Sequence, residues 1–474
     1  MHHVVIVEFP WGRDKDPRTP LGHASLLAVL NQLGVPYSSH VHEVNAERFD
    51  VAKAIANILS DLREDSMLAV GAYVWAEDIV QFLLSRARNS GFRGPIVLGG
   101  PQISYTSGEL ESHYPEADFF VRGYGEMALA SLALDASADI QGVHRAGAAD
   151  RNEQTLVDLS QMPSPWLTGV IPLEDQKFIR WETQRGCPFK CGFCQHKEPG
   201  ARLRVPHFNM ERILNEVDLF CRSGVEDIAV LDPIFNASSH CIEVLKRFVN
   251  NGFTGRLSLQ CRAEMLTDEF LNLASQLQVR LEFGLQTIHA DEGQAVDRRN
   301  NIPKARARFE QVNKRGLPYE VSIIYGLPEQ TLASFLETVA WCIELQVPVL
   351  KAFPLMLLRG TSVEERKEEW GLVESEGSMP VVVQSDSFSF EDWVDMTRIS
   401  EALKQTEHAH PQSIEELREI ANQLDPDVNR FMPTPPSSLK ERVVFRSSSA
   451  VEPVQYRLSD AHATALAVDC GFTW

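Results

Sequence analysis

Three cysteines within a span of eight residues are the side chains of this sequence best suited to inorganic chemistry. Cys187, Cys191 and Cys194 form a C-x3-C-x2-C pattern with glycine and proline neighbours. Thiolates at this spacing can converge on one small inorganic centre, and soft sulfur ligands select an iron–sulfur cluster or zinc. A structural zinc site needs four ligands, but neither a second C-x2-C nor a C-x2-H follows nearby. We therefore predict that the three thiolates bind a four-iron, four-sulfur (4Fe-4S) cluster and leave one iron open for a substrate or cofactor.

The segment that precedes the cysteine loop alternates strands with helices. In residues 1–140, five short β-branched runs are separated by helical stretches, which predicts a doubly wound parallel sheet with ligands at the carboxyl ends of its strands. Glycines follow the third, fourth and fifth strands, where they let the backbone approach a ligand closely. A second interpretation is that these glycines only form tight turns. The first strand is not followed by G-x-G-x-x-G, so the usual dinucleotide fingerprint is missing.

A second series of six strands and helices occupies residues 178–362, and its first strand leads into the cysteine loop. Six steps predict a partial (β/α)6 barrel, because eight are needed to close the full barrel. Residues 141–177 form a predicted connector, and residues 363–474 form a predicted, mostly helical C-terminal region. The predicted fold class is therefore α/β, with an N-terminal Rossmann-like sheet, a central partial barrel and a helical region.

Composition narrows the classes of partner. The chain has 474 residues, 44% hydrophobic and 23% charged, which are ordinary globular values. Its 65 acidic and 45 basic residues give a formal charge of −20, which opposes sequence-independent attraction to nucleic acid or anionic lipid. The sequence contains no apolar run of about 18 residues and no cleavable leader pattern. We therefore expect a cytoplasmic protein that binds neither membranes nor nucleic acid.

The cysteine loop and four later segments resemble the radical SAM superfamily, which binds a 4Fe-4S cluster through C-x3-C-x-aromatic-C after the first barrel strand. The aromatic position is filled here by Phe193. Further matches are the Cys-Arg-Ala-Glu of 261–264, the Gly-Leu-Gln-Thr of 284–287, and residues 322–329, where Ser322 replaces a family glycine; residues 358–361 match the barrel exit. The resemblance implies that S-adenosyl-L-methionine (SAM) contacts Phe193, Arg262, Glu264, Gln286, Ile324 and Gly326.

The same resemblance implies the chemistry. The open iron chelates SAM, and an electron from the reduced cluster cleaves the sulfonium into methionine and a 5′-deoxyadenosyl radical. That radical abstracts hydrogen from an unreactive carbon. The electron is expected from an external donor such as flavodoxin or ferredoxin.

A doubly wound domain before such a barrel resembles the cobalamin-binding subgroup of the superfamily. The D-x-H-x-x-G motif that supplies a histidine to cobalt in many cobalamin enzymes is absent. We therefore expect cobalamin with its nucleotide tail in the sheet and no histidine on cobalt, a state that favours giving up a methyl group. The alternative is a sheet kept for packing or substrate contact. The residues that carry the match or end the sheet strands, and that are expected to contact cobalamin, are Pro20, Leu21, Gly22, Gly71, Gly99, Gly100, Gln102, Gly123, Tyr124, Gly125 and Glu126.

These features predict a cobalamin-dependent radical SAM enzyme that methylates an unactivated carbon in biosynthesis of a small molecule or peptide. One alternative keeps the radical and the corrinoid but ends in ring formation, contraction or rearrangement without methyl transfer. A third candidate is a tRNA-modifying radical SAM enzyme, which the acidic balance and the absence of any cysteine before Cys187 disfavour. The sequence indicates no catalytic residue beyond the cluster ligands and no particular substrate.

Overall fold

The computed structural model describes residues 1–155, 157–174, 176–196, 205–375 and 379–424. Residues 425–474, the last part of the predicted helical region, lie outside the described residues. Two six-stranded sheets organise the described part, and the predicted α/β fold with an N-terminal parallel sheet and a partial barrel is confirmed. No helix within these ranges combines the length and apolar character that a membrane span requires.

The N-terminal sheet has the strand order β2-β1-β3-β4-β5-β6. The first five strands are parallel, whereas β6 pairs antiparallel with β5. The strands are β1 (His3–Glu8), β2 (Tyr37–Val41), β3 (Ser66–Gly71), β4 (Ile96–Gly99), β5 (Phe119–Val121) and β6 (Val143–Arg145). The last strand lies in the segment predicted as a connector, and the sequence gives little signal for it because Val143-His144-Arg145 is short and mostly polar.

Helices cover both faces of this sheet, so β1 is buried on both sides, as expected for a parallel sheet. Val4 and Ile6 pack in one core, whereas Val5 and Val7 pack in a second core on the opposite face. The helices of the domain are α1 (Leu21–Gln32), α2 (Val51–Asp61), α3 (Glu77–Asn89), α4 (Pro101–Ser104), α5 (Leu110–His113) and α6 (Glu126–Leu134). Because the first five strands are parallel, their carboxyl ends lie along one edge of the sheet.

The second sheet contains six parallel strands in chain order, and its two end strands do not pair with each other among the described residues. It is therefore an open barrel. The strands are β7 (Phe178–Trp181), β8 (Asp227–Val230), β9 (Arg256–Cys261), β10 (Gln278–Gln286), β11 (Tyr319–Tyr325) and β12 (Leu350–Pro354). The connecting helices are α7 (Met210–Arg222), α8 (Cys241–Asn250), α9 (Asp268–Ala274), α10 (Ala290–Ala295), α11 (Ile302–Lys314) and α12 (Leu332–Glu344).

The region after the barrel combines helices with a short ribbon. Strands β13 (Val373–Glu374) and β14 (Val382–Gln384) pair antiparallel, an addition to the mostly helical prediction. The helices are α13 (Ser362–Glu365), α14 (Phe390–Gln405) and α15 (Ile414–Asn422). Helix α14 packs on β12 and α12, with the fully buried Trp393 in the contact. This packing covers the last strands of the barrel.

One carboxylate joins the N-terminal sheet to the end of the barrel. The guanidinium of Arg359, after β12, donates to both oxygens of Glu77, at 2.7 Å and 3.0 Å. The same carboxylate accepts from Tyr114 Oη at 2.8 Å and from Gln102 Nε2 at 2.8 Å. Four donor atoms therefore converge on Glu77, and the two from Arg359 connect the N-terminal domain to the end of the barrel.

Candidate functional site

A cavity of about 310 Å³ lies between the carboxyl edge of the N-terminal sheet and the cysteine loop. Its barrel side includes Arg185 and Gly186 before the first cysteine and Gln195 and His196 after the last. Its sheet side brings together nine of the eleven predicted cobalamin contacts: Leu21, Gly22, Gly71, Gly99, Gly100, Gly123, Tyr124, Gly125 and Glu126. Residues from two separate sheets thus share one cavity.

The other two predicted contacts lie elsewhere. Pro20 precedes the first turn of α1 and does not line the cavity. Gln102 is buried and donates to Glu77, so its amide serves the junction between the sheets. Glu126 does line the cavity, but its carboxylate accepts from Arg185 Nη1 at 2.6 Å. That ion pair connects α6 to the cysteine loop.

Glycine is required at two of the cavity positions. Gly100 has φ 94° and ψ 179°, a conformation that residues with a side chain rarely adopt. A Cβ atom there would lie 2.8 Å from the carbonyl oxygen of Ala72. Gly123 has φ 80°, and its Cβ would lie 3.0 Å from Thr155 Oγ1. The backbone at these turns therefore forms part of the cavity wall directly.

A chain of polar side chains crosses the cavity wall at Glu8, which ends β1. Burial, and then the adjacent Glu8 carboxylate, hold the pKa of Tyr73 well above its usual value, so the phenol stays protonated and hydrogen-bonds to Glu8. His23 Nδ1 lies 3.3 Å from Glu8 Oε2, and His23 Nε2 lies 2.8 Å from Ser39 Oγ. Both ring nitrogens of His23 are thus engaged within the wall. These hydrogen-bonded side chains are far apart along the sequence, so no motif marks them.

The three cysteines are free thiols in the loop whose flanking residues line this cavity. Cys187 and Cys191 are buried, and Cys194 is half-buried. Burial raises the pKa of Cys187 to about 11 and that of Cys194 to about 12, and the Cys191 thiol beside them acts in the same direction. Cys187 and Cys194 are therefore neutral thiols at pH 7, and binding of a metal centre must release their protons.

The donor set fits a cluster better than a single ion. No three His, Cys, Asp or Glu side chains in the described ranges surround one point as a single metal ion requires. In a 4Fe-4S cluster each thiolate binds a different iron, so the sulfurs need not meet at one point. Three cysteines in one loop, with positive charge from Arg298 and Arg262 nearby, suit such a cluster.

A segment between α10 and α11, Val296–Asn300, supports the cysteine loop from behind. The Gly192 N–H donates to the Val296 carbonyl at 2.7 Å. Arg298 Nη1 donates to Cys191 Sγ at 3.5 Å, and Arg298 Nη2 donates to the carbonyl of Gly284 on β10. The sequence analysis missed this support, although the charged run Asp-Arg-Arg-Asn at 297–300 is visible in the sequence.

The same segment binds two of the predicted SAM-contact regions. Asn300 Nδ2 donates to the carbonyls of Leu285, at 2.6 Å, and Thr287, at 3.0 Å, at the end of β10. Arg262 Nη2 donates to the Arg299 carbonyl at 3.1 Å and to Asn300 Oδ1 at 3.2 Å. The ends of β9 and β10 are therefore held against the cysteine loop by one short connection.

Two predicted SAM contacts, Arg262 after β9 and Gln286 at the end of β10, carry polar groups near the cysteine loop. The Arg262 guanidinium lies 4.1 Å from the ring centroid of Phe189 in the cysteine loop and 3.6 Å from Glu264. Gln286 adopts φ 70° at a register shift between β10 and β11. Among the described residues, no donor reaches its buried Oε1. A buried acceptor without a donor suits a ligand with N–H or O–H groups.

The remaining predicted SAM contacts, Phe193, Ile324 and Gly326, are already engaged in contacts within the protein. Phe193 is half-buried and packs against the main apolar core. The Gly326 N–H donates to Gln330 Oε1 at 2.8 Å, and Gln330 Nε2 donates to the Ile324 carbonyl at 3.1 Å. Gln330 therefore occupies the backbone groups at the end of β11, and any SAM contact at Gly326 or Ile324 must use other atoms.

Asp232, which follows β8, fixes the strand end from which the cysteine loop begins. Its Oδ1 accepts from the Thr183 N–H at 2.7 Å and from the Gln184 N–H at 3.3 Å. The Thr183 hydroxyl hydrogen-bonds to Asp232 Oδ2 and lies 2.8 Å from His240 Nε2. Burial raises the pKa of Asp232 to about 7, so its charge changes near neutral pH. The sequence analysis did not single out this residue.

Comparisons with known proteins find similarity in the barrel and across most of the chain. The family model of the radical SAM superfamily matches residues 181–342, which run from the end of β7 to α12 and include the cysteine loop. The chain is 24% identical over 401 residues to 2-(S-pantetheinyl)-carbapenam-3-carboxylate methyltransferase of Streptantibioticus cattleyicolor, covering 74% of this chain and 58% of that protein.

A second relative is the cobalamin-dependent radical SAM methyltransferase TokK of Streptomyces tokunonensis, 25% identical over 346 residues, covering 65% of this chain and 50% of TokK. The chain thus spans a little over half the length of these relatives. The solved structure of the cobalamin-dependent S-adenosylmethionine radical enzyme OxsB superimposes with a TM-score of 0.64 and 15% identity, covering 91% of this chain and 72% of OxsB. This likeness shows a shared fold.

Proposed function

We propose, from the premise that this chain carries a radical SAM domain and belongs to the cobalamin-binding subgroup, that it is a cobalamin-dependent enzyme that methylates an unactivated carbon. The substrate is a small molecule or a peptide. The electron donor is an external protein such as flavodoxin or ferredoxin.

The shared cavity carries this proposal. Nine predicted corrinoid contacts and four residues that flank the cysteines line the same space of about 310 Å³. A methyl carrier bound at the sheet side would therefore share the cavity with residues that flank the cysteines. Ligands of open α/β sheets bind at this carboxyl edge.

The chain's own residues bind, orient and shield the reactants in this mechanism. Cys187, Cys191 and Cys194 would hold the cluster, and Arg262 and Gln286 would orient SAM beside it. The cluster supplies the electron that cleaves SAM, and the corrinoid supplies the methyl group. The glycine turns at Gly100 and Gly123 would support the corrinoid, and the mostly apolar wall excludes water that would quench a radical.

The decisive experiment combines cofactor binding with isotope transfer. The chain is reconstituted anaerobically with iron, sulfide and hydroxocobalamin, then given dithionite, SAM with a deuterated methyl group and a candidate pool of metabolites and peptides. We expect a retained corrinoid spectrum, 5′-deoxyadenosine formation, and a product that carries the deuterated methyl group. The test variant is C194A, which removes a predicted cluster ligand. Its matched control is C221A, which removes a cysteine on α7 outside the site.

Loss of bound iron in C194A but not in C221A supports the cluster assignment. Failure of the unaltered chain to retain corrinoid or to cleave SAM contradicts the proposal.

A second candidate is a cobalamin-dependent rearrangement without methyl transfer. It is favoured by the similarity to OxsB, described as a radical enzyme and not as a methyltransferase, which covers 91% of this chain. The same isotope experiment separates the two functions, because a rearranged product carries no deuterium from SAM.

A further inference from the structure

Arg298 is a buried cation with no carboxylate at ion-pair distance among the described residues. Only 8% of the residue is exposed. Its neighbour Arg262 lies 3.6 Å from Glu264, but Arg298 forms no ion pair within the part of the chain that the structure describes. A buried charge without a counter-charge is costly. The position therefore calls for a negative group that arrives with a ligand.

The hydrogen bonds of Arg298 identify where that negative group belongs. Nη1 donates to Cys191 Sγ at 3.5 Å, and Nη2 donates to the Gly284 carbonyl on β10. Gly284 precedes the register shift that frees this part of the strand from regular pairing. The thiolate of Cys191 is thus the nearest group that can become negative when a metal centre binds.

The backbone around Arg298 gives the guanidinium little freedom. The Arg298 N–H donates to the Gly293 carbonyl at 2.7 Å, and Asp297 before it has φ 52°. The adjacent Val296 carbonyl accepts from Gly192 in the cysteine loop at 2.7 Å. A guanidinium held by its own backbone and by two acceptors is preorganised to contact a sulfur ligand.

We propose that Arg298 is a positioning residue that stabilises the reduced state of the cluster through Cys191 and, with the same guanidinium, holds the β10 end beside it. The inference rests on the proposed function, because it requires a cluster on the three cysteines. Reduction adds one electron, taken from the external donor, and therefore one negative charge to the cluster. A fixed positive charge and an N–H···S hydrogen bond favour that state and raise the reduction potential.

The test measures the cluster itself and not turnover. Reconstituted R298Q and R298K are compared with R315Q, which removes an exposed arginine at the end of α11. Iron and sulfide content, the electron paramagnetic resonance spectrum and the midpoint potential from a dye-mediated titration are recorded for each.

We expect R315Q to match the unaltered chain. In R298Q the ratio of reduced to oxidised cluster at a fixed potential should fall roughly tenfold, equivalent to about 59 mV for one electron. R298K keeps the charge but cannot reach Cys191 and Gly284 together. Its midpoint potential should therefore lie between those of the unaltered chain and R298Q.

A full cluster with unchanged potential in R298Q overturns the inference and leaves the proposed function intact. If R298Q does not retain iron, the test uses R298K instead. A midpoint potential and spectrum in R298K that equal those of the unaltered chain overturn the inference. Absence of a cluster from the unaltered chain overturns the proposed function and this inference with it.

Discussion

Cys187, Cys191 and Cys194 differ in their surroundings although they share one loop. Cys191 accepts from the Arg298 guanidinium, Cys194 accepts from the His196 N–H at 3.3 Å, and Cys187 accepts from the Phe189 N–H. The loop itself begins at a strand end that Asp232 clamps through Thr183. Residues that the motif does not contain therefore decide how the motif is presented.

The buried carboxyl group of Asp232 makes the unfolding free energy decrease as the pH rises. Its pKa of about 7 lies above the ordinary 3.8, because burial disfavours the carboxylate. Protonated Asp232 therefore contributes stability that is present below about pH 4 and is lost as the pH rises through about 7. We expect D232N, which mimics the neutral form, to flatten the decline of the unfolding free energy between these pH values.

Urea unfolding across a pH series measures this effect. His240 and Glu182 lie close to Asp232, and Glu282 also titrates near pH 7, so the comparison is between variants and not between absolute slopes. The control is D218N, on α7, whose pKa is lowered by a hydrogen bond from Arg247 and which is neutralised only in acid. Equal slopes for D232N and the unaltered chain would contradict the assignment.

At the scale of elements, the glycine turns after β4 and β5 show how the sheet presents backbone to its cavity. Gly100 and Gly123 both have positive φ and both approach neighbouring atoms closely. The predicted spacing of glycines after successive strands is explained by this geometry. Both the predicted corrinoid contact and the alternative of tight turns agree with these conformations, and the substitutions below separate the two.

Two alanine substitutions separate the cavity role from backbone strain. G100A places a Cβ 2.8 Å from the Ala72 carbonyl, whereas G147A shares the positive φ but meets no atom within 4 Å. We expect G100A to lower the unfolding free energy by about 1–3 kcal/mol and to reduce hydroxocobalamin retention at least several-fold. G147A should also lower the unfolding free energy, because its backbone is strained, but it should retain hydroxocobalamin as well as the unaltered chain does. Equal retention in both variants would rule out Gly100 as part of the corrinoid site.

At the scale of the whole molecule, the relative position of the two sheets is set by a few polar contacts. Glu77 receives four hydrogen bonds from three residues, and Glu126 pairs with Arg185 beside the cysteine loop. These contacts connect the two sides of the cavity. Its shape therefore depends on groups that do not line it, such as Gln102 and Arg359.

Weakening the Glu77 junction should loosen the cavity. We expect E77Q to lower the unfolding free energy by about 1–3 kcal/mol, the usual range for hydrogen bonds to a charged group, and to increase protease cleavage and weaken corrinoid retention. The control is E226Q, which removes an exposed partner of Lys177 at 2.7 Å and should cost at most about 1 kcal/mol. If E77Q and E226Q behave alike, the junction does not set the cavity.

The sequence by itself determined the α/β class, the two series of strands, the cysteine loop and most of the glycines at the sheet edge. These follow from local patterns, because alternation, turn residues and ligand spacing are written within short stretches. The tertiary structure alone decided that Gln102 serves Glu77, that Gln330 occupies the end of β11, and that Arg298 and Asp232 support the loop. The contact between Gly326 and Gln330 is local, but the others join residues 25 to 107 positions apart. Only the packing of one sheet against another, or of one strand end against the next, brings such distant residues within hydrogen-bonding distance.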